Sequence, residues 1–348
     1  MQKITDSKSI TIYDIAREAG VSPSTVSRVL TNNANVRQEK KEKVLALIEK
    51  YNFKPNVLAR GLADTKTRTI GILAADVRNP YYASIYLACE QAAKELGYTV
   101  ILCNFLSDPM EERRLLEVLE EQRVEAIIQF GGRVDDLVTD ESYIDIVNSL
   151  QEKIPLVITG KLDGTRCHAV QVDAMKAMDL LMEHLFSLGH EKIALVGGKN
   201  SVLSTFEKKQ RYKQIMKAKG FEIEPAFIDG EGEYDFDTGY RVMTKILDGG
   251  VIPTAVVAIN DFTAIGVMRC IKERGLRVPE DIAIVSYDNT YMSEMVYPNI
   301  TSIDYNYQEY GRNLVSAAVR LSRGEEVEAL KMVTPTLVVR GSSQKKKK

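Results

Sequence analysis

From Thr69 onward the chain alternates short apolar runs with longer amphipathic ones. TIGILAADV, YTVILCNF, EAIIQFGG, PLVITG and HAVQVD read as strands, and KIALVGG, AVVAIND and IAIVSYD follow them. Between them lie stretches such as ASIYLACEQAAKELG and EERRLLEVLEEQ, apolar at helical spacing. Strands that are apolar throughout must be covered on both faces, and strands separated by helices run parallel. The alternation therefore predicts parallel sheets between layers of helices. It repeats before and after about residue 172, which predicts two similar lobes. ITSIDYN and the helix after it (308–323) are expected to return to the first lobe.

Residues 1–69 follow another pattern. In TIYDIAREAG, Thr11 and Asp14 have capping-box spacing. Ile12, Ile15, Ala16 and Ala19 form one helical stripe, and Gly20 suits a left-handed stop. Ser22 can cap a second helix with Pro23 in its first turn. There Val26, Val29 and Leu30 share one face, and Ser24, Ser27, Arg28 and Thr31 share the other. A third helix starts near Gln38, with Val44, Leu47, Ile48 and Tyr51 as its stripe. Two short helices joined at a glycine, then a third, make a helix-turn-helix arrangement. This head holds 13 Lys and Arg against 7 Asp and Glu, and the remainder holds 33 against 41. A basic head on an acidic body points to a polyanionic partner. A three-helix bundle with a solvated polar face would carry the same pattern. On the open face of the second helix, Arg28 could reach a phosphate or guanine O6 and N7.

The run TIYDIAREAGVSPSTVSRVLTNNANVRQEKKEKVLALIEKYNFKPNVLARGLA resembles the DNA-binding head of the lactose-repressor/galactose-repressor family of bacterial transcription regulators, without a gap. The resemblance continues through the body to about Gly341. It implies an all-α helix-turn-helix domain over residues 9–54 and a hinge helix with linker over 55–68. Residues 69–341 would form a dimerising, effector-binding α/β domain of two periplasmic-binding-protein-like lobes with parallel sheets. Lobe 1 is expected at about 69–171 and 299–329, lobe 2 at about 172–298 and 330–341, with three crossovers between them. Residues 342–348 are expected as a disordered tail.

In the family, the positions of Pro23 and Ser24 help choose operator bases, and the arginine at Arg28 contacts DNA. Thr11, Tyr13, Ser22, Thr25, Ser27 and Asn35 complete the candidate contacts of the head. The hinge segment from Asn56 to Ala63 is only two turns long and contains Gly61, so alone it should not hold a helix. A plain linker would have the same composition. The family folds this segment in the minor groove, where the leucine matching Leu62 wedges between bases. Asn56, Ala59 and Leu62 are its candidate contacts.

In open α/β sheets, ligands bind beyond the carboxyl ends of the strands, and in two-lobe proteins between the lobes. That rule selects Asp76, Tyr81, Tyr82, Gln129 and Lys161 from the first half. From the second it selects Ser204, Phe206, Tyr234, Asn260, Asp261 and Asp288. Amides, carboxylates and rings together suit a sugar. The resemblance places Tyr81, Tyr82, Tyr234, Asn260 and Asp288 where family members touch their effector. The chain also departs from the family. Gly160-Lys161 stands where many members have Asp-Arg. The basic residue before RYKQ is replaced by Phe206 or moved to Lys208. VDAM (Val172–Met175) lacks the usual asparagine. Lys161 would suit an acidic or phosphorylated sugar, or would only pair with Asp163. YDNTYMSEMVYPNITS resembles the carbon-catabolite-control branch, whose members use a phosphoprotein corepressor. That branch has an arginine where this chain has Tyr297, so such a partner is not expected.

No run is long and apolar enough for a membrane span, and MQKITDSKSI lacks the apolar core of a signal peptide. A cytoplasmic, nucleoid-associated protein is therefore expected. The body alone would also suit a solute-binding protein of a sugar transporter, against which the basic head and missing signal argue. Cys89, Cys103, Cys167 and Cys270 form no CxxC pair and read as reduced thiols. His168, His184 and His190 have no metal-ligand spacing, and no nucleotide, nucleophile-elbow or zinc-protease motif occurs. No metal, cofactor or catalysis is expected. The chain reads as a repressor of carbohydrate-utilisation genes, a homodimer on inverted-repeat DNA, governed by a sugar or sugar phosphate. With no leucine-heptad tail after Gly341, a dimer is expected rather than a tetramer.

Overall fold

The computed structural model describes residues 10–30, 36–53, 67–228 and 232–344. The chain divides into two compact units, Met1–Thr67 and Arg68–Lys348.

The first unit contains α1 (Ile12–Ala19), α2 (Pro23–Leu30) and α3 (Gln38–Lys50). Helix α1 begins at a reciprocal capping box. The Asp14 amide donates to Thr11 Oγ1 at 3.3 Å, and the Thr11 amide donates to Asp14 Oδ2 at 3.0 Å. It ends at Gly20, whose φ of 64° would strain any residue with a side chain. Ile15, Ala16, Val26, Val29 and Val44 form the buried centre, ringed by Leu30, Leu47, Ile48 and Phe53. At the rim, Lys50 Nζ and the Tyr51 hydroxyl both donate to Glu18 at 2.8 Å.

The second unit has two sheets. The first joins β1 (Thr69–Ala74), β2 (Thr99–Asn104), β3 (Ala126–Phe130), β4 (Leu156–Ile158), β5 (His168–Val172) and β10 (Leu330–Val333), in the order β10-β5-β4-β3-β1-β2, all parallel. Side chains alternate across it. Ile70, Ile72 and Ala74 pack under α4 (Pro80–Glu95) and α12 (Tyr307–Ser322). Leu73 faces α5 (Pro109–Glu121) and α6 (Glu141–Gln151).

The second sheet joins β6 (Ile193–Val196), β7 (Ala255–Ala258), β8 (Ala283–Asp288), β9 (Thr301–Asp304) and β11 (Thr336–Val338), in the order β11-β9-β8-β7-β6, with β11 antiparallel. Helices α7 (Ala174–Ser187) and α8 (Leu203–Lys219) cover one face. Helices α9 (Phe236–Asp248) and α10 (Asp261–Glu273) cover the other. A short helix, α11 (Met292–Met295), lies between β8 and β9.

Two expected boundaries are corrected. Strand β9 belongs to the second lobe, and only α12 and β10 return to the first, so lobe 1 regains the chain near residue 306 and keeps it through Val333. Apolarity marks a strand but not the sheet it joins. Among the described residues the chain passes between the lobes three times: after Val172, after Asp304 and after Val333. The expected tail also begins too early. Ser342 and Ser343 are buried; Ser342 Oγ donates to Ile284 O at 2.6 Å, and Ser343 Oγ lies 2.6 Å from Thr301 Oγ1. A polar tripeptide reads as solvated, yet here it completes the backbone of β8 and β9. Lys345–Lys348 lie outside the described residues. No helix among the described residues is long and apolar enough to cross a membrane.

Candidate functional site

The head presents α2. Val26 and Val29 face inward, while Pro23, Ser24 and Arg28 are exposed and Thr25 and Ser27 half-buried. Ser22 caps the helix, receiving the Thr25 amide at 3.3 Å, and its hydroxyl lies 2.8 Å from Ser24 Oγ and 2.9 Å from Thr25 Oγ1. The N-terminus of α2 thus carries hydroxyls and no carboxylate, which suits an anion. Tyr13 on α1 is 67% exposed. Thr11 is exposed and held by Asp14. Asn35, Asn56, Ala59 and Leu62 lie outside the described residues.

The second candidate site lies between the lobes. Asn79 caps α4, receiving the Tyr81 amide at 3.1 Å, so α4 delivers Tyr81 and Tyr82 from its first turn. Tyr81 packs into the cores of both lobes. Its ring lies 5.1 Å from that of Tyr82, 5.8 Å from Tyr305 and 6.3 Å from Tyr307, while Tyr82 stacks on Phe130 at 6.0 Å. From the other lobe, the Tyr234 hydroxyl lies 2.8 Å from Thr205 Oγ1. Phe206 and Ser204, on the first turn of α8, are exposed. One helical step further, Lys208 is buried with its ammonium 4.2 Å from the Tyr287 ring centre.

Asp288 ends β8 with a φ of 94°, a left-handed conformation that a non-glycine residue holds only when its surroundings enforce it. The residues on either side of it are held by Asp261. Ser286 and Ser302 hydroxyls donate to its Oδ1 at 2.5 and 2.7 Å, and the Thr290 amide and hydroxyl donate to its Oδ2 at 2.7 and 3.0 Å. Burial lifts the Asp288 carboxyl well above the usual carboxylate range, the Asp261 charge adds to this, and Lys208 and a bond from Tyr305 oppose it. Burial pulls Lys208 down, against the attraction of Asp288, Glu207 and Asp135.

Asp135, which the strand-end rule passed over, lies in a 3-10 turn (Gly132–Asp135) after β3. Burial and the charge of Asp136 push its carboxyl up to about 7, and Lys208 opposes. The signal was present in GGRVDD, directly after EAIIQF.

Three predicted contacts have partners in the framework. Gln129 is fully buried on the far face, giving its Nε2 to Glu112 Oε1 at 2.6 Å and accepting the Tyr143 hydroxyl at 2.9 Å. Asp261 is occupied as above. Asn260 caps α10 through the Thr263 amide at 2.8 Å, and its Nδ2 donates to Tyr234 O at 3.0 Å. Residue type and strand-end position are the same for a framework amide and a ligand amide; only the neighbours differ. Two others are engaged at the margin. Asp76 forms an ion pair with Arg78 at 2.7 Å, and Lys161 pairs with Asp163 at 2.7 Å.

Residues 11–56 match the family described as bacterial regulatory proteins, lacI family, and residues 182–343 match a periplasmic binding protein-like domain. The chain is similar to catabolite control protein A of Priestia megaterium, 33% identical over 92% of this chain and 95% of that protein. It is similar to the Lac repressor dimer bound to operator and the anti-inducer ONPF, with a TM-score of 0.86, 29% identity and coverage of 97% of this chain and 99% of the other. It is also similar to the transcriptional regulator CelR in complex with cellobiose, with a TM-score of 0.70, 25% identity and coverage of 96% and 100%.

Proposed function

This chain belongs to the lacI family of bacterial regulatory proteins, and we propose that it is a repressor whose hold on operator DNA is set by a sugar-like ligand between the lobes. That it is a DNA-binding transcriptional regulator of carbohydrate metabolism, and not an enzyme, follows from the family. One observation carries the ligand half of the reading. Tyr81, Tyr82, Tyr234, Lys208 and Asp288 come from both lobes to one cleft, giving ring faces and charged hydrogen-bonding groups together. A ligand touching both lobes binds one arrangement better than another, and can shift the protein only by that difference.

On DNA, α2 would enter the major groove. Pro23, Ser24 and Arg28 would face base edges, and Thr11, Tyr13, Ser22, Thr25 and Ser27 the backbone. Asn35, Asn56, Ala59 and Leu62 keep their places in this reading from the sequence. The chain would act as a homodimer on an inverted repeat. Leu87 and Leu96 on the outer side of α4 are exposed apolar residues that such a partner would cover.

The test is fluorescence anisotropy on a palindromic operator selected from a random DNA pool. Affinity is expected to fall steeply, linearly in log–log terms, between 50 and 200 mM salt, by roughly 10³-fold or more if six phosphates are contacted. A saturating sugar from a screen should then shift the curve. Salt-independent binding, or a curve that no cleft-bound sugar moves, would refute the proposal.

A further inference from the structure

We propose that Asp135 is a ligand-recognising carboxylate of the cleft, that it selects polyhydroxylated ligands lacking a phosphate, and that its grip on the ligand is coupled to lobe closure. This rests on reading the cleft as a carbohydrate site.

The placement of Asp135 comes first. A Cβ on Gly160 would lie 1.9 Å from Val134 O and 2.5 Å from Asp135 Oδ1. The loop carrying Asp135 therefore fills the space that any side chain at position 160 would need. Its carboxylate lies close enough to act on the ionisation of Tyr81, Tyr82 and Tyr234 and on Lys208, groups that belong to both lobes. It is the counterpart, from lobe 1, of Asp288 from lobe 2.

The charges then decide the ligand. Asp135 and Asp288 both lie within the electrostatic range of one buried ammonium, that of Lys208. Ligand hydroxyls can donate to both groups, and such bonds favour the carboxylate form that burial otherwise disfavours. A phosphate would instead oppose ionisation of both groups, with the Lys208 ammonium as its attraction. Lys161, the other cation considered for such an anion, is exposed and paired with Asp163.

The two residues after Asp135 supply the coupling. Asp136 pairs with Val202 in an isolated antiparallel bridge, and the Leu137 amide donates to Ser201 O at 2.7 Å. Both partners belong to lobe 2, so these rungs fasten the lobes together. The start of the same loop is anchored in lobe 1, where the Arg133 amide donates to Glu112 Oε1 at 3.1 Å. A ligand that engages Asp135 thus acts on a segment with one end fixed in lobe 1 and the other bonded to lobe 2.

The experiment uses the full chain with cellobiose, glucose and galactose, and with glucose 6-phosphate and galactose 6-phosphate, read by thermal shift and calorimetry. At least one neutral sugar is expected to bind, and its 6-phosphate to bind at least tenfold more weakly. Asp135→Asn should weaken the neutral sugar about tenfold or more, the loss of a carboxylate acceptor. Hydrogen exchange at the peptide holding Leu137 should slow with that sugar in the wild type and not in Asp135→Asn. A phosphate ester that binds as tightly as its parent, an Asp135→Asn protein that binds sugar normally, or Leu137 exchange unmoved by bound sugar overturns the inference alone. If no sugar of either charge binds, the carbohydrate reading falls, and the inference with it. The wild-type comparisons decide the matter even if the variant does not fold.

Discussion

Pro23, Ser24, Thr25 and Arg28 lie within one helix of the head, whereas the cleft draws Tyr81, Asp135, Lys208 and Asp288 from elements spread along the body. The head's surface needs one helix held by one small core. The cleft needs two sheets, each with cores on both faces, and the three passages of the chain between them. A local surface depends on few residues and fails when its core fails. A distributed site survives the loss of any one helix face but shifts when the sheets shift. Damage to one region should therefore leave the other's binding intact, and variants can break or sharpen that contrast.

The largest effect is expected in the head's core. Ile15→Ala removes a fully buried side chain at a cost of about 2–5 kcal/mol, which a domain this small is poorly placed to absorb. Calorimetry should show a lowered or absent head transition, operator binding should be lost, and sugar binding should persist. Loss of sugar binding as well would deny the separation. Next is Arg28→Ala, expected to weaken operator binding by about 1–3 kcal/mol, with a changed base preference if the arginine reads guanine. Repeating the random-pool selection with the variant checks this; an identical consensus and affinity would remove Arg28 from the interface.

In the cleft, Tyr82→Ala takes away a ring stacked on Phe130, and about a tenfold loss of sugar affinity is expected, with ligand-free operator affinity unchanged. Isothermal titration and anisotropy on the same preparation separate the two. The smallest effect concerns Glu112, which burial raises to about 7 against the bonds from Arg133, Tyr143 and Gln129. Between its ordinary value of 4.5 and about 7, the folded state holds a proton that the unfolded chain has released. Stability should therefore fall as pH rises through that window. Glu112→Gln should flatten the fall in Tm between pH 5 and 8. An unchanged pH profile would show that this carboxyl carries none of it.

The head was legible almost residue by residue. The Thr11–Asp14 box, the Gly20 stop and the inward Val26 and Val29 all follow from spacing along one chain segment. The body's layering was legible for the same reason, because strand apolarity and helix periodicity are local. What spacing could not carry was partnership. Gln129, Asn260 and Asp261 lie at strand ends as ligand residues do, but Glu112, Tyr234, Ser286 and Ser302 claim them from distant segments. Asp135 was overlooked because the sequence shows a missing side chain at Gly160 but not the loop that replaces it. Strand β9 joins the second lobe although its sequence, TSID, is short enough to fit either sheet.

The central claim is that occupancy of the cleft changes the affinity of the head for DNA. The direct measurement is operator affinity of the full chain with and without a saturating cleft-bound sugar, repeated with Asp288→Asn. A shift of about 5–150-fold is expected, the usual range of such coupling, and it should need several-fold more sugar in the variant. Identical operator affinity with the cleft empty and demonstrably full would contradict it.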